Sequence, residues 1–354
     1  IESIESVKKY APQIYASQNR AVTAADFEAL VPRVYAEAES VSAYGGEELN
    51  PPRYGEVFIS VKPYNGVYLS SAIKENIKNE LRKYSCAGII TEIMDLKYLF
   101  VETSSTVYYD TSKASSANGV KGQVLNNIIN YSDSSQLNKF GARFKYSKFL
   151  GIIDQSQASI TSNITTVSMR RDMEPRLNTY TEYEICYGNR IHIGSEDGYN
   201  IKSSGFYVNG ISDCVYLGDL PGSDLLTGTV FLFKLNSPTQ PVLVKRAVGT
   251  IDYKKGEIKL NPLNIISTKL NRGATGFTTP YIEISMQPYS NDVIGLQDLY
   301  LQLDTSNTTV TMVPDEITSG TNTSGSSYKV TSSYSNGSLV RGTPHLASET
   351  TTTY

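Results

Sequence analysis

Apolar positions recur along this chain with two periods, and the change from one to the other divides it. From Ile1 to about Pro32 the spacing is helical. Ile4 and Val7 begin a short stripe that Pro12 is expected to break, and a second helix is predicted over Ala24 to Val31. Pro32 lacks an amide hydrogen and restricts the residue before it, so this helix should stop there. Val34 to Tyr44 reads as a strand.

Between Gly45 and Pro175 strands and helices alternate. Val57, Ile59 and Val61 predict a strand with one face on a core, and Ile73, Ile77, Leu81 and Tyr84 a helix with Lys74, Glu75, Lys78 and Arg82 turned to solvent. Ile89 to Met94 and Tyr98 to Tyr109 read as strands joined by a tight turn at Asp95. A helix with Val120, Val124, Leu125, Ile128 and Ile129 on one face follows. A short helix from Ser147 to Asp154 then leads to a long strand from Ser159 to Met169.

From about Asn178 to Asp315 helical periodicity disappears. Short apolar runs recur at Tyr183–Tyr187, Gly205–Val208, Cys214–Leu217, Val230–Leu235, Val242–Val244, Gly249–Tyr253 and Tyr281–Met286. Lys254-Lys255-Gly256 predicts a hairpin loop. Strands at such short intervals imply a sandwich or a partly open barrel. After Thr318 the sequence is mostly Ser, Thr, Gly and Asn, with little to bury; if ordered, it should lie extended against a partner. The expected fold class is therefore α+β. Its parts are N-terminal helices and a connecting segment (1–44), a two-layer α/β domain with a mixed, mainly antiparallel sheet (45–175), a β-rich domain (176–317) and an extended tail (318–354).

The most specific local signal is Arg20-Ala-Val-Thr-Ala-Ala-Asp-Phe27. Thr23 can cap a helix, and Asp26 three residues later completes a capping-box pattern while placing negative charge at the positive end of the helix dipole. Val22 and Phe27 are spaced for a hydrophobic staple over the first turn. Arg20 and Asp26 are expected to fix the joint between the leading helices and the α/β domain.

Composition narrows the function. A net charge of −3 over 354 residues supplies no general attraction to nucleic acid or an acidic membrane surface. No apolar run approaches the ~20 residues that a membrane span needs. Charged residues are 19% of the chain, and 26 tyrosines with no tryptophan offer stiff, amphipathic contact area suited to protein interfaces or to a β-rich fold. Cys86, Cys186 and Cys214 are widely spaced and odd in number, which suggests buried free thiols and neither a disulfide framework nor a zinc site.

Candidate chemistry is sparse. His192 and His345 are the two histidines; the first reads as a strand residue and the second stands in the tail. Walker, GxGxxG, GxSxG and HExxH patterns are all missing. Glu47-Glu48 and Glu196-Asp197 read as solvated loop ends, and Arg170-Arg171 as an ion pair or interface contact. No catalytic, metal or cofactor residues are assigned.

The run Glu5-Ser6, Tyr10-Ala-Pro12, Arg20-Ala-Val-Thr23 and Asp26-Phe27 resembles the baseplate J-like family of contractile-tailed phages. Gly55-Glu-Val-Phe-Ile-Ser-Val-Lys-Pro63, the helix from Leu69 to Tyr84 and the strand from Tyr98 to Tyr109 follow in the family's order. Gly249-Thr-Ile-Asp-Tyr253, Gly256-Glu-Ile-Lys-Leu260 and Asp292-Val293 make the likeness nearer to the ring-forming baseplate wedge subunit of T-even-like myophages, in its C-terminal portion. The likeness is good from Ile1 to Met169, thin to about Asp315, and fails in the tail.

The resemblance implies a virion scaffold protein with no enzymatic activity and no cofactor, assembled in the host bacterial cytoplasm. Its implied partners are itself, other baseplate wedge proteins and the central hub, with no nucleic acid, membrane or small-molecule substrate. Two different self-complementary patches would let one chain propagate into a closed ring. One is expected near the start, or in a segment before Ile1, and the other in the α/β and β-rich regions. Gly45-Gly46 and the Tyr180 junction are candidate pivots. The alternatives are a receptor- or carbohydrate-binding tail protein and a cell-wall hydrolase. The first predicts an aromatic groove and a trimer, the second a cleft with two converging carboxylates.

Overall fold

The computed structural model describes residues 4–315, apart from 50, 65, 67, 115, 135, 194–198, 238–239 and 274–277, together with 327–330, 334–335, 338–339 and 350–353. The chain divides into two compact units: 1–98, 133–143 and 295–302 form one, and 99–132, 144–294 and 303–354 the other. The fold is α+β, as expected.

The first unit contains α1 (Ile4–Ser17), α2 (Ala24–Val34), β1 (Ala38–Gly45), β2 (Glu56–Pro63), α3 (Ser71–Leu81) and β3 (Ile90–Met94). β1 and β2 are antiparallel, and β2 and β3 are parallel. A parallel pair needs a crossover, which α3 supplies. One core joins Phe27, Leu30 and Val31 of α2 and Ile77 and Leu81 of α3 to Val41, Val57, Ile59, Val61 and Ile93 of the sheet. The other face of β2 is covered too. Phe58 is 2% exposed, stacked on Tyr44 at 5.7 Å, with the Arg53 guanidinium 5.3 Å from its ring centre.

Neither proline ends its helix. α1 spans Pro12, and α2 runs two residues past Pro32. In α2 the Tyr35 amide still donates to Val31 O at 2.8 Å, and the fully buried Leu30 and Val31 anchor the last turn. Packing here outweighs the loss of one donor. Gly45-Gly46 is likewise no loose loop. Both residues are buried, and Gly46 O accepts from the amides of Leu49 (3.3 Å) and Arg53 (2.8 Å). Segments 133–143 and 295–302 return to this unit around Tyr300. Its ring meets Tyr98 and Phe140 edge-on at 5.9 and 5.3 Å, and its hydroxyl bonds Asn138, which in turn bonds Glu39.

The elements that follow are β4 (Lys97–Tyr109), α4 (Ala117–Ser132), β5 (Arg143–Phe144), α5 (Tyr146–Asp154), β6 (Ile160–Met173), β7 (Tyr180–Cys186), β8 (Lys202–Ser203), β9 (Phe206–Val208), β10 (Tyr216–Pro221), β11 (Thr227–Ser237), β12 (Gln240–Asp252), β13 (Glu257–Thr268), β14 (Leu270–Arg272), β15 (Thr279–Met286), β16 (Val293–Ile294), β17 (Leu299–Leu303) and β18 (Thr309–Pro314). β3 and β4 follow each other across Asp95-Leu96, but without the expected turn, and they enter different sheets.

In the second unit β15, β6 and β4 pair antiparallel in that order, and β18 runs parallel to β4. α5 packs on β6 and α4 on β18. On α4, Val120, Val124, Ile128 and Tyr131 are buried, whereas Ile129 is 44% exposed, so the apolar face is rotated from the predicted one. A second sheet runs β10-β11-β12-β13-β7, with β9 added to β13. The predicted hairpin is there: Asp252 pairs with Glu257, and Gly256 takes φ +75°, a conformation that glycine reaches without a Cβ clash. Among the described residues no sheet closes into a barrel, which removes that alternative. In the tail, β19 (Ser327–Val330) pairs with β22 (Thr350–Thr353), and β20 (Tyr334–Ser335) with β21 (Ser338–Leu339). Most of 318–354, and with it the expected partner contact, lies outside the described residues.

Candidate functional site

The motif from Arg20 to Phe27 forms the capped helix start that its pattern predicts, though with different residues at its edges. Thr23 Oγ1 accepts from the Asp26 amide at 3.3 Å, and Asp26 Oδ2 accepts from the amides of Thr23 (2.8 Å) and Val22 (3.1 Å). Burial raises the pKa of Asp26, but hydrogen bonds to its carboxylate from the Thr23 and Val22 amides and from the Thr23 side chain outweigh it and hold the carboxyl below its ordinary value. Phe27 is fully buried. Val22 is 55% exposed, so the staple is not formed; Ala21, fully buried in the same core as Phe27, takes that place.

The contact that ties this turn to the rest of the unit is main-chain. The Ala21 amide donates to Tyr84 O at 2.8 Å, and Ala21 bridges Ser85 in parallel. Arg20 was expected to share this task and does not. Its side chain is exposed and reaches Gln18 Oε1 at 3.4 Å. A long, well-hydrated guanidinium gains little from such a site, whereas a backbone amide inside a core must find an acceptor. Pro12 lies within α1, and Tyr10 is placed on that helix by its backbone alone.

The strongest electrostatic feature lies in the second unit. Arg170 on β6 is 5% exposed and meets four carboxylates: Glu102 at 2.6 Å, Asp304 at 2.8 Å, Asp172 at 2.9 Å and Glu283 at 3.5 Å. The Phe100 ring centre lies 4.3 Å from the guanidinium carbon, and Arg272 also bonds Asp172. Burial alone would lower the pKa of Arg170; Asp172, Glu102 and Asp304 reverse that and raise it. The next residue, Arg171, donates to Cys186 O at 2.6 Å. Arg170 is thus an ion-pair centre, one of the two uses its sequence suggested, while Arg171 ties the strand to a backbone carbonyl.

A buried polar pin was not legible beforehand. Asp219 on β10, 1% exposed, accepts from the amides of Asn200 (2.8 Å) and Ile201 (2.6 Å) and from the Tyr253 hydroxyl (2.7 Å). Burial raises its pKa more than these donors lower it. The one available signal was a carboxylate inside the apolar run Tyr216-Leu-Gly-Asp-Leu220.

Elsewhere the chemistry stays thin. His192 is exposed beside an isolated bridge at Ile191, outside any named strand. Glu47 and Glu48 are exposed; Glu196, Asp197 and His345 lie outside the described residues. All three cysteines are free, but Cys86 is exposed and the others half-buried, contrary to the expectation of burial. Among the described residues no cluster of His, Cys, Asp or Glu is arranged for a metal ion, and no helix is long and apolar enough to cross a membrane.

Comparison with known proteins assigns this framework. Residues 23–94 match the family model of the baseplate structural protein gp6, C-terminal domain I, and residues 97–172 match C-terminal domain III of the same protein. The first match begins at the capping threonine; the second takes in β4, α4, α5 and nearly all of β6. The baseplate wedge protein gp6 of Enterobacteria phage T4 is 29% identical over 191 residues, which is 54% of this chain and 28% of that protein. Among solved structures, a chain of the anti-feeding prophage baseplate matches with a TM-score of 0.35 and 16% identity, covering 47% of this chain and 37% of that one. Residues 23–172 therefore carry gp6 C-terminal domains I and III in succession, and over this stretch the chain is a homologue of the baseplate structural protein gp6.

Proposed function

We propose that this chain is a structural subunit of the baseplate wedge of a contractile phage tail, without enzymatic activity, that self-associates and joins wedges into a ring around the hub. The observation that carries the reading is the succession of two gp6 C-terminal domains over 23–172. Its capped joint and buried ion-pair centre support it, because they make rigid parts and no reaction centre. Ring closure by one kind of chain requires two different self-contacts, since a single self-complementary patch stops at a dimer. Its working place is the virion baseplate, after assembly in the host cytoplasm.

Sedimentation velocity of the purified chain, alone and then with sister wedge proteins, tests the reading. Dimers alone and wedge-sized or ring-sized species with partners are expected. A monomer that stays unassembled with every wedge protein, or a trimer that binds glycan, would overturn it.

A further inference from the structure

β12 is much longer than its pairing on one side. It meets β13 only from Gly249 to Asp252; β13 pairs with β7 over this same stretch and on to Asn264, and takes up β9 from Ile265. From Gln240 to Lys245 the strand pairs with β11 alone; its register then shifts before Gly249, where Ala247 takes φ +51°, and the outer edge of this stretch meets no strand among the described residues. β11 is bare as well beyond Phe233, where β10 begins. The outer part of this hairpin is thus a two-stranded ribbon, and such ribbons are marginally stable alone in water.

The side chains along this edge show what would suit it. Val242 and Leu243 are 37% and 45% exposed and point to opposite faces, so both faces of the ribbon offer apolar contact. Lys245, Arg246 and Ala247 follow, all exposed, and the two cations form no ion pair among the described residues. Lys234 on β11 is by contrast matched by Asp213 at 2.7 Å. Natural edges are often blunted by lysine or proline, and Pro241 removes one donor here. Val242-Leu243-Val244 still leaves main-chain groups and apolar side chains together, with uncompensated positive charge beside them.

We propose that the free edge of β12 over Pro241–Lys245, with Arg246 beside it at the start of the irregular stretch, is a docking site for an extended, acidic segment of a partner protein, which adds to it as a further strand. Main-chain hydrogen bonds would supply affinity, and carboxylates opposite Lys245 and Arg246 would supply charge complementarity and register. The inference does not depend on the wedge reading, since it uses only the edge and its charges.

The test uses the full chain and two fluorescein-labelled synthetic peptides of alternating sequence, Val-Glu and Val-Lys. Fluorescence anisotropy should show the Val-Glu peptide binding and the Val-Lys peptide failing to bind. Amide exchange over 241–245 should slow when Val-Glu is present. The variant K245E/R246E, changed only at exposed positions, should melt as the parent does and bind Val-Glu about tenfold more weakly. Equal binding of both peptides, protection confined to another region, or no binding at about millimolar peptide would overturn the proposal. So would a dimer of the chain that protects 241–245 without peptide, because a second copy would then occupy the edge.

Discussion

Arg170 Nη1 lies 2.6 Å from Glu102 Oε1, and both side chains are only 5% exposed. Charges so far from water are tolerable only when paired. Arg170→Ala would leave Glu102, Asp172, Asp304 and Glu283 without their shared cation. A loss of about 3–5 kcal/mol of stability is expected for such a removal, read by denaturant unfolding at neutral pH. The deficit should shrink on acidification, as protonation relieves the charge that Arg170 had balanced. Arg170→Lys should recover only part of the loss, because one ammonium cannot present the planar fork that meets several carboxylates at once. A neutral-pH loss below about 1 kcal/mol would show that the carboxylates find other compensation.

Thr23→Ala and Asp26→Asn test the capped joint separately from its core. Each should cost about 1 kcal/mol, the usual size of an N-cap contribution. The double variant should cost less than the sum, since each residue caps through the other. Acid titration gives the sign independently. Asp26 is held below its ordinary carboxyl value in the folded chain, so its contribution is present above the unfolded value of 3.8 and fades as pH falls through the lower folded value. Asp26→Asn should remove that acid-side dependence. Arg20→Ala should change stability by less than about 0.5 kcal/mol, as an exposed side chain away from the joint.

The sequence made the short-range features of this fold legible and the long-range ones much less so. Apolar spacing located α3, α4, α5, β2 and β6 closely, because each buries a face whose period is local. The capping box needed only residues three apart. Pro12 and Pro32 misled: both are tolerated inside their helices, and at Pro32 the last turn is anchored by packing against residues distant in sequence. The Arg170 centre draws its carboxylates from positions 102, 172, 283 and 304, on different strands and a turn, so spacing alone could show only that an arginine sat in an apolar strand. The free edge of β12 was invisible for a similar reason: it exists because β13 turns away.

Gly46→Ala tests whether that turn is packed or loose. A Cβ built at Gly46 would lie 1.9 Å from the carbonyl oxygen of Arg53, which is backbone and cannot rotate aside. The turn must therefore open, breaking the bond from the Arg53 amide to Gly46 O. A loss of more than about 2 kcal/mol is expected, in the range of overpacking with backbone shift. Gly66→Ala is a weak control by space, with nothing within 4 Å, although its φ of +98° adds strain of its own. Gly122, helical and with open space around its Cβ, is the better one: Gly122→Ala should stabilise by up to about 1 kcal/mol. Equal melting points for Gly46→Ala and the parent would mean that the turn is adaptable.

Asp219 distinguishes a hydrogen-bond role from a charge role. Asp219→Ala would leave the buried amides of Asn200 and Ile201 and the Tyr253 hydroxyl without their acceptor, at a cost of about 2–4 kcal/mol. Asp219→Asn keeps an oxygen for the two amides, and its amide can donate to the Tyr253 oxygen, so a much smaller change is expected. The pH dependence fixes the sign. Burial raises the folded pKa of Asp219 above its unfolded value, so its favourable contribution is complete below the unfolded value and is lost as pH rises through the folded one. An asparagine cannot ionise and escapes that loss. Relative to the parent, Asp219→Asn should therefore gain stability as pH rises above the unfolded value of 3.8, measured as the difference in unfolding free energy across the rise. If the difference is flat with pH, the carboxylate is ionised at no net cost, and its three donors fully offset its burial.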